Sequence, residues 1–236
     1  MYDRMRQHHS NLRATRMTNT QRQQAYWESE HGFRTFDHPV VEFFACQRIS
    51  FIRSWLNLDE VKSALDVGCG SGFSTYYMNR HVNDIWAFDR SRRMLADHPL
   101  KDTRKLVMAD ALHLPFSDNT FDLAYGWEIL HHIARPAEVL VEMARVSQKY
   151  VLVAEPNPLN PVQFAFALAD PEHRWVLRYR LSYMRRLFVD VGLKVMHSGS
   201  GGWIFPNKTP LWLLAVLRRI PYQSFFGISN WVLAVK

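Results

Sequence analysis

The hydrophobic pattern of the chain changes character at about residue 61. Before it, apolar residues recur at helical spacing after Pro39, a residue well suited to the first position of a helix. After it, short apolar runs alternate with stretches of helical periodicity. This alternation predicts an α/β fold with a mostly parallel sheet covered by helices on both faces. We expect an N-terminal arm and helices over residues 1–60 and one doubly wound domain over residues 61–236.

The apolar runs define seven predicted strands. These are residues 63–67, 84–88, 105–108, 121–125, 150–154, 193–196 and 231–235. Helices are expected at residues 39–56, 73–80, 91–95, 136–146, 162–168, 182–191 and 211–219. Residues 1–20 are polar, basic and aperiodic, which predicts a mobile arm, and the three glycines in 198–202 predict a flexible turn. Ligands of such a sheet bind beyond the carboxyl ends of its strands.

A glycine-rich turn follows the first predicted strand. The apolar run ends at Asp66, and Gly68, Gly70 and Gly72 follow at every second position. A strand, a glycine turn and a helix let backbone N–H groups approach a nucleotide-like ligand closely. The dinucleotide fingerprint places its third glycine at the position that Phe73 occupies here, which disfavours a pyrophosphate ligand.

Further landmarks lie at the ends of the next strands. Asp89 follows the second strand, where a carboxylate suits a ribose diol, although an acid at this place can also cap a helix. Asp110 and Ala111 follow the third strand, and the segment 126–133, Gly-Trp-Glu-Ile-Leu-His-His-Ile, follows the fourth. Together with the glycine turn, these residues resemble the class I S-adenosylmethionine (SAM) dependent methyltransferases, in their ubiquinone/menaquinone-methyltransferase-like (type 11) branch. The resemblance covers about residues 61–156.

The resemblance implies a Rossmann-like seven-stranded sheet whose last strand is antiparallel, with the N-terminal helices as a lid. It also implies SAM as cofactor and S-adenosylhomocysteine (SAH) as product. Asp66 would attract the ammonium group of SAM, Asp89 would bind the ribose and Asp110 the adenine amino group. The cofactor-binding residues that the resemblance implies are Asp66, Gly68, Cys69, Gly70, Gly72, Asp89, Arg90, Met94, Asp110, Ala111 and Trp127.

The implied activity is methyl transfer to a small-molecule acceptor through an oxygen, nitrogen or carbon nucleophile. Natural products, sugars, quinones and lipid-linked or anionic compounds remain open. His132 and His131 are candidate general bases, and the ordinary alternative is that they cap a helix or bond the backbone. An insertion at about residues 156–182 is expected to form the acceptor pocket. Candidate pocket residues are Tyr26, Trp27, Glu128, Glu155, Asn157 and Arg174.

Two other functions compete with an active small-molecule enzyme. Intact cofactor motifs also fit a SAM-binding regulatory or partner subunit without transfer activity. An RNA methyltransferase is disfavoured, because Tyr125-Gly126-Trp127-Glu128 stands where nucleic-acid amino methylases carry an Asn-Pro-Pro-Tyr signature, and no RNA-binding module is present in the sequence.

The surplus of basic over acidic residues lies in the C-terminal quarter of the chain. The net charge is +7, and residues 172–236 hold ten basic against two acidic residues. A solvated face, an acidic acceptor or a peripheral contact with an anionic membrane would each account for this surplus. The apolar run 211–217 is too short to span a bilayer and lacks a polar face, so a buried helix or oligomer contact is favoured there.

The cysteine and histidine content points to no metal and to a reducing compartment. Two cysteines give no disulfide framework, and the histidines and acids lack metal-ligand spacing. The polar, Arg-rich N-terminus has no secretory pattern. We therefore expect a cytoplasmic protein, with the oligomeric state left open.

Overall fold

The computed structural model of the chain describes residues 21, 25–29, 32–169 and 171–236. The predicted mobile arm, residues 1–20, lies outside the described residues. Residues 25–27 are helical, and the main helices are α1 (Pro39–Arg53), α2 (Phe73–Met78), α3 (Arg92–Ala96), α4 (Pro136–Val146), α5 (Pro161–Ala169), α6 (Leu181–Asp190) and α7 (Leu214–Leu217). The strands are β1 (Ser63–Val67), β2 (Asp84–Asp89), β3 (Leu106–Met108), β4 (Phe121–Trp127), β5 (Ser147–Pro156), β6 (Lys194–Gly201) and β7 (Ser229–Val235). Short 3₁₀ helices cover Leu58–Glu60, Leu130–His132, Pro171–Arg178 and Leu211–Leu213.

The seven strands form one sheet in the order β3-β2-β1-β4-β5-β7-β6. β1 to β5 pair in parallel, and β7 runs antiparallel to both β5 and β6. The predicted fold class, including the antiparallel last strand, is confirmed. The chain order reverses between β1 and β4, and this switch point is where sheets of this kind bind ligands.

Apolar side chains fill both sides of the sheet. On one face, Leu65 and Val67 of β1 pack in a core with α4 and α6, and on the other, Ala64 packs in a core with α1 and α2. Residues of a strand point alternately to the two faces, so a strand buried on both sides must be apolar throughout. Asp66 is the exception in β1, and its burial needs a local explanation.

The predicted turn at residues 198–202 is wrong over most of its length, because β6 continues to Gly201. An ideal Cβ at Gly199 would lie 3.3 Å from the Trp55 ring, and one at Gly201 would lie 2.6 Å from the Tyr222 ring. The glycines therefore make room for aromatic rings packed on the strand. Pairing with β7 outweighs the turn preference of glycine here.

The apolar run 211–217 is only shallowly packed. Leu214 is buried, whereas Leu211, Trp212 and Val216 are exposed. The expectation of a buried helix is wrong here, and the alternative of an oligomer contact stays a prediction. Within the described ranges, no helix combines the length and apolar character needed to cross a bilayer.

Candidate active site

The glycine turn joins β1 to α2 with three residues in the left-handed region. Gly68, Gly70 and Gly72 have φ of 70°, 54° and 85°, a conformation that glycine adopts without steric cost. An ideal Cβ at Gly72 would lie 2.3 Å from the His98 ring, and at Gly70 it would meet only the Met94 methyl carbon, at 3.2 Å. Gly72 thus serves close packing, while Gly70 leaves an open backbone cradle.

Cys69 and Gly68 fasten this turn to the neighbouring strand. Their N–H groups both donate to the carbonyl oxygen of Phe88 at 3.0 Å. Burial raises the pKa of the Cys69 thiol well above its usual range. Cys69 therefore carries a neutral, inert thiol and contributes to the site through its backbone.

Asp89, at the end of β2, connects the glycine turn to α3. Its Oδ2 accepts the Gly70 N–H at 2.9 Å and its Oδ1 accepts the Ser91 N–H at 2.8 Å. The helix cap is Ser91, whose hydroxyl accepts the Met94 N–H at 3.1 Å. Burial raises the pKa of Asp89. The carboxylate is held directly beside the cradle, as the ribose prediction requires.

The residues predicted for the adenine end meet at the ends of β2 and β3. An Arg90 nitrogen lies 4.0 Å from Asp110 Oδ2, and both side chains are about half exposed. Asp110 Oδ1 also accepts the Leu112 N–H at 3.0 Å, while Ala111 is buried. This leaves a charged pair on an open rim.

Asp66 lies beneath the glycine turn and supports it. Its Oδ2 accepts the hydroxyls of Ser74, Thr75 and Tyr125 at 2.6, 2.7 and 3.0 Å. Its Oδ1 is buried without a hydrogen-bond partner. Burial raises the pKa of Asp66 to about 6, against the lowering effect of the three hydroxyl bonds. A contact between Oδ1 and an ammonium group stays a prediction.

Arg48 of α1 is a site residue that the sequence reasoning missed. It is completely buried, and its Nη2 donates to Glu128 and, at 2.7 Å, to the Ser229 hydroxyl. The guanidinium lies over the Phe44 ring at 4.0 Å, while its Nε and Nη1 have no hydrogen-bond partner. The available signal was a cation inside the apolar stripe of α1.

Glu128, directly after β4, occupies a strained backbone position. Its φ is 64°, and its N–H donates to the Ala154 carbonyl at 2.7 Å. A residue with a Cβ pays roughly 1–2 kcal/mol in this region. Such a conformation persists when surrounding contacts hold it, and here the ion pair with Arg48 does so. Trp127 beside it is buried against Phe73 and Trp231.

A buried carboxylate and an imidazole pair at the ends of β4 and β5. Glu155 Oε1 accepts the Leu130 N–H at 2.6 Å, and Oε2 lies 2.6 Å from His131 Nδ1 and 3.3 Å from the His131 backbone nitrogen. Because a carboxylate only accepts, His131 Nδ1 carries a proton in this contact, and in the neutral ring Nε2 is then the atom with the free lone pair. His131 and Glu155 are both buried.

Three histidine rings gather next to this pair. The His131 and His132 centroids are 3.9 Å apart, and His173 lies 6.3 and 6.0 Å from them. Burial, with His131 and His173 as neighbours, lowers the pKa of His132 well below its usual range, so His132 is neutral at pH 7. The predicted bases are thus side by side, with Glu155 orienting only His131.

The N-terminal segment reaches across the site. The Trp27 carbonyl accepts the Ser91 hydroxyl at 3.0 Å, and the Trp27 ring centroid lies 5.0 Å from that of His132. Tyr26 contacts His173 with centroids 6.5 Å apart. Residues 25–29 therefore touch both the end of β2 and the segment after β4, as a lid would. Motion of this segment stays a prediction.

The two remaining predicted pocket residues, Asn157 and Arg174, differ in their surroundings. Asn157 is completely buried, and its Nδ2 donates to the carbonyls of Phe225 and Gly227 at 2.9 and 2.8 Å. Its amide anchors a loop, so the prediction that it lines the pocket is not met. Arg174 is exposed. Among the residues that the structure describes, no group of three His, Cys, Asp or Glu side chains could hold a metal ion.

A parallel sheet with a glycine turn at its switch point and acids at the next two strand ends defines a Rossmann-like nucleoside-binding domain. Residues 65–152 match the family model described as a methyltransferase domain. Over this segment the chain is similar to the class I SAM-dependent methyltransferases of the menaquinone-methyltransferase-like branch.

Several curated relatives are similar to part of the chain. A demethylmenaquinone methyltransferase of Shouchella clausii is 29% identical over 175 residues, which cover 59% of this chain and 74% of the relative. Methyltransferase GfsG of Streptomyces halstedii is 31% identical over 99 residues, which cover 39% of this chain and 36% of the relative. The chain spans 26% to 36% of the length of three of the curated relatives it matches.

Solved structures show the same fold. Magnesium protoporphyrin IX methyltransferase from Synechocystis PCC 6803, crystallised with bound SAM, has a TM-score of 0.60 at 14% identity, with 94% of this chain and 99% of that chain covered. SAM is the cofactor of this family.

Proposed function

We propose that this chain transfers the methyl group of SAM to a small-molecule acceptor at the carboxyl edge of the sheet. The observation that carries the proposal is the buried Glu155–His131 pair beside the segment after β4. A carboxylate that fixes the tautomer of an imidazole is the arrangement of a general base. Methyl transfer is also the activity given in the names of similar proteins.

The described residues fit SAM. Asp89 and Gly70 would hold the ribose side, and Asp110 the adenine. The unpaired Nε and Nη1 of Arg48 suit the methionine carboxylate, and the unpaired Oδ1 of Asp66 suits the ammonium group. Arg48 lies over the Trp127 ring and Asp66 bonds Tyr125, whose ring packs against Trp127, so both ends of a zwitterion would meet one aromatic cluster. When bound, SAM supplies an already activated methyl group.

The protein's own contribution is placement and proton transfer. His131 Nε2 accepts the proton of an acceptor hydroxyl or an acidic carbon, while Glu155 stabilises the imidazolium that forms. A neutral amine acceptor needs no such base. The N-terminal residues Tyr26 and Trp27 exclude water from the histidine rings that they contact.

The acceptor is an apolar compound with a polar reacting group. Phe166 packs on His173 with centroids 4.6 Å apart, and the exposed Arg174 supplies a cation at the rim for an acidic group. Relatives named for demethylmenaquinone extend the candidates to quinone-like compounds.

The test is SAH formation by the purified chain with a panel of phenols, quinones, sugars and amines. His131→Ala should lower turnover on a hydroxyl acceptor by about 10²- to 10⁴-fold, the usual contribution of a general base, without weakening SAH binding. His81→Ala is the matched control, because His81 follows the C-terminal end of α2, away from the glycine turn, and contacts Arg53. Full turnover in both His131→Ala and His132→Ala would remove this pair from the mechanism. Tight SAH binding without any product across the panel would favour the partner-subunit alternative.

A further inference from the structure

Helix α5 presents its apolar side chains to solvent. Its sequence, Pro-Val-Gln-Phe-Ala-Phe-Ala-Leu-Ala, has one polar side chain, Gln163, and this residue is buried together with Ala167. A helix that is apolar on nearly all sides is normally covered by protein or lipid. Here the exposed fractions of Val162, Phe164, Phe166 and Leu168 are 58%, 47%, 44% and 55%.

A second apolar segment lies beside α5. Phe225 and Phe226 are 66% and 53% exposed. Their carbonyls accept the side-chain amides of Asn157 and Asn160 at 2.9 and 2.8 Å, which fixes this loop against the start of α5. We call the exposed side chains of these two segments the edge patch: Val162, Phe164, Phe166, Leu168, Phe225 and Phe226.

Basic residues outnumber acids in the segments around the edge patch, since residues 157–182 hold Arg174, Arg178 and Arg180 against Asp170 and Glu172. Arg180 lines a groove with Phe164 and Leu177, and Arg178 stacks on Trp175. The sequence from 202 to 228, which carries the phenylalanine loop, contains Lys208, Arg218 and Arg219 and no acid. All these segments follow the carboxyl ends of β5 or β6, or lead into β7, so they belong to one edge of the sheet.

We infer that this edge docks on an anionic membrane surface, with the edge patch in the boundary between headgroups and acyl chains. Exposed aromatic rings flanked by Arg and Lys are what such an interface binds. The cations would lie at the level of the lipid phosphates. A second copy of the chain is a poorer occupant, because two such cationic edges repel each other.

Docking would also place the candidate active site at the interface. Phe166 of the edge patch packs on His173, which neighbours His131 and His132. An acceptor dissolved in the membrane would then reach the histidines without crossing water. This last step rests on the proposed function, whereas the docking itself does not.

The test is co-sedimentation of the full chain with vesicles of phosphatidylcholine alone and of phosphatidylcholine with an equal amount of phosphatidylglycerol. We expect binding to the anionic vesicles. The variant Phe164→Ser/Phe225→Ser/Phe226→Ser should weaken it by about tenfold or more, because three rings no longer leave water. Lys208→Gln/Arg219→Gln should weaken it by about fivefold for each cation removed, and more at low salt.

Val189→Ser is the matched control, since Val189 is 61% exposed at the end of α6, which leads into the start of β6 at the opposite edge of the sheet. SAH affinity checks that each variant is folded. Absence of binding at low salt, or equal binding by the triple phenylalanine variant, would overturn the inference. So would sedimentation analysis showing self-association through the edge patch without vesicle binding. Vesicle binding without methyl transfer would leave the docking intact and count against the proposed function alone.

Discussion

At the scale of single residues, the site is built from buried charges whose partners are incomplete. Arg48 is completely buried, yet its Nε and Nη1 donate to no acceptor, and Asp66 Oδ1 accepts from no donor. Unpaired buried polar groups cost roughly 1–3 kcal/mol each, and more when charged. Two opposite unpaired charges around one aromatic cluster suit the zwitterionic end of SAM in the function we propose.

The role of Arg48 gives a first prediction. Arg48→Met/Glu128→Gln removes the cation without leaving the Glu128 carboxylate unpaired. It should weaken SAH binding by about tenfold or more, the value of a charge-assisted pair of hydrogen bonds. Calorimetric titration measures the affinity, with Arg53→Met on the exposed side of the same helix as control. Wild-type affinity in the double variant would show that Arg48 only holds Glu128 in place.

The burial of Asp66 gives a prediction on pH. Its pKa rises from 3.8 in the unfolded chain to about 6 in the fold. Between these values the folded state holds a proton that the unfolded state has released, so stability falls as pH rises from about 4 to about 6. The free energy of unfolding of wild type minus that of Asp66→Asn should therefore drop by about 2 kcal/mol from pH 4 to pH 7. Denaturant titrations at the two pH values measure it; an unchanged difference would refute the raised pKa.

At the scale of elements, the turn between β1 and α2 depends on close packing as well as on backbone conformation. Gly72 and Gly192 share a φ of 85°, but a Cβ at Gly72 would meet the His98 ring and Pro99, whereas one at Gly192 would meet nothing within 4 Å. Gly192→Ala should cost about 1 kcal/mol for the left-handed backbone. Gly72→Ala should cost a further 1–3 kcal/mol, roughly, for overpacking. Equal losses in thermal unfolding would mean that His98 moves aside freely.

The elements that the sequence predicted well are those whose pattern is local. The parallel strands and α4, with proline at its start, follow from apolar runs and helix-start chemistry, and the structure reproduces α4 at residues 136–146. β6 was predicted too short because Gly199 and Gly201 are needed to make room for the rings of Trp55 and Tyr222, which are distant in sequence. Long-range packing of this kind leaves no periodic signal.

The candidate site also combines residues that the local sequence pattern predicts with residues that only the folded chain brings together. Asp89, Asp110 and the paired histidines are predictable because each lies at a strand end, and parallel strands end at one edge. Arg48 and Ser229 reach the site from α1 and β7, at the two ends of the chain, and only the folded sheet brings them together. Asn157 was misplaced because its amide bonds a loop some seventy residues away.

At the scale of the whole molecule, the candidate functional groups lie together at the carboxyl edge of the sheet. The glycine turn, the histidine cluster, the N-terminal segment and the edge patch all lie there, and the opposite edge holds none of the candidate groups named above. In the function we propose, one cofactor and one acceptor meet between the sheet and residues 25–29. We propose above all that the cofactor occupies the glycine turn beside Asp89.

Calorimetric titration of SAH into the wild type and Asp89→Ala tests this claim most directly. Asp84→Ala is the matched control, because Asp84 begins the same strand and pairs with Lys105 at the far edge. We predict saturable binding by the wild type and by Asp84→Ala, and affinity lower by about tenfold or more in Asp89→Ala, which loses a charged acceptor of hydrogen bonds. Absence of binding by the wild type, or unchanged affinity in Asp89→Ala, would contradict the account.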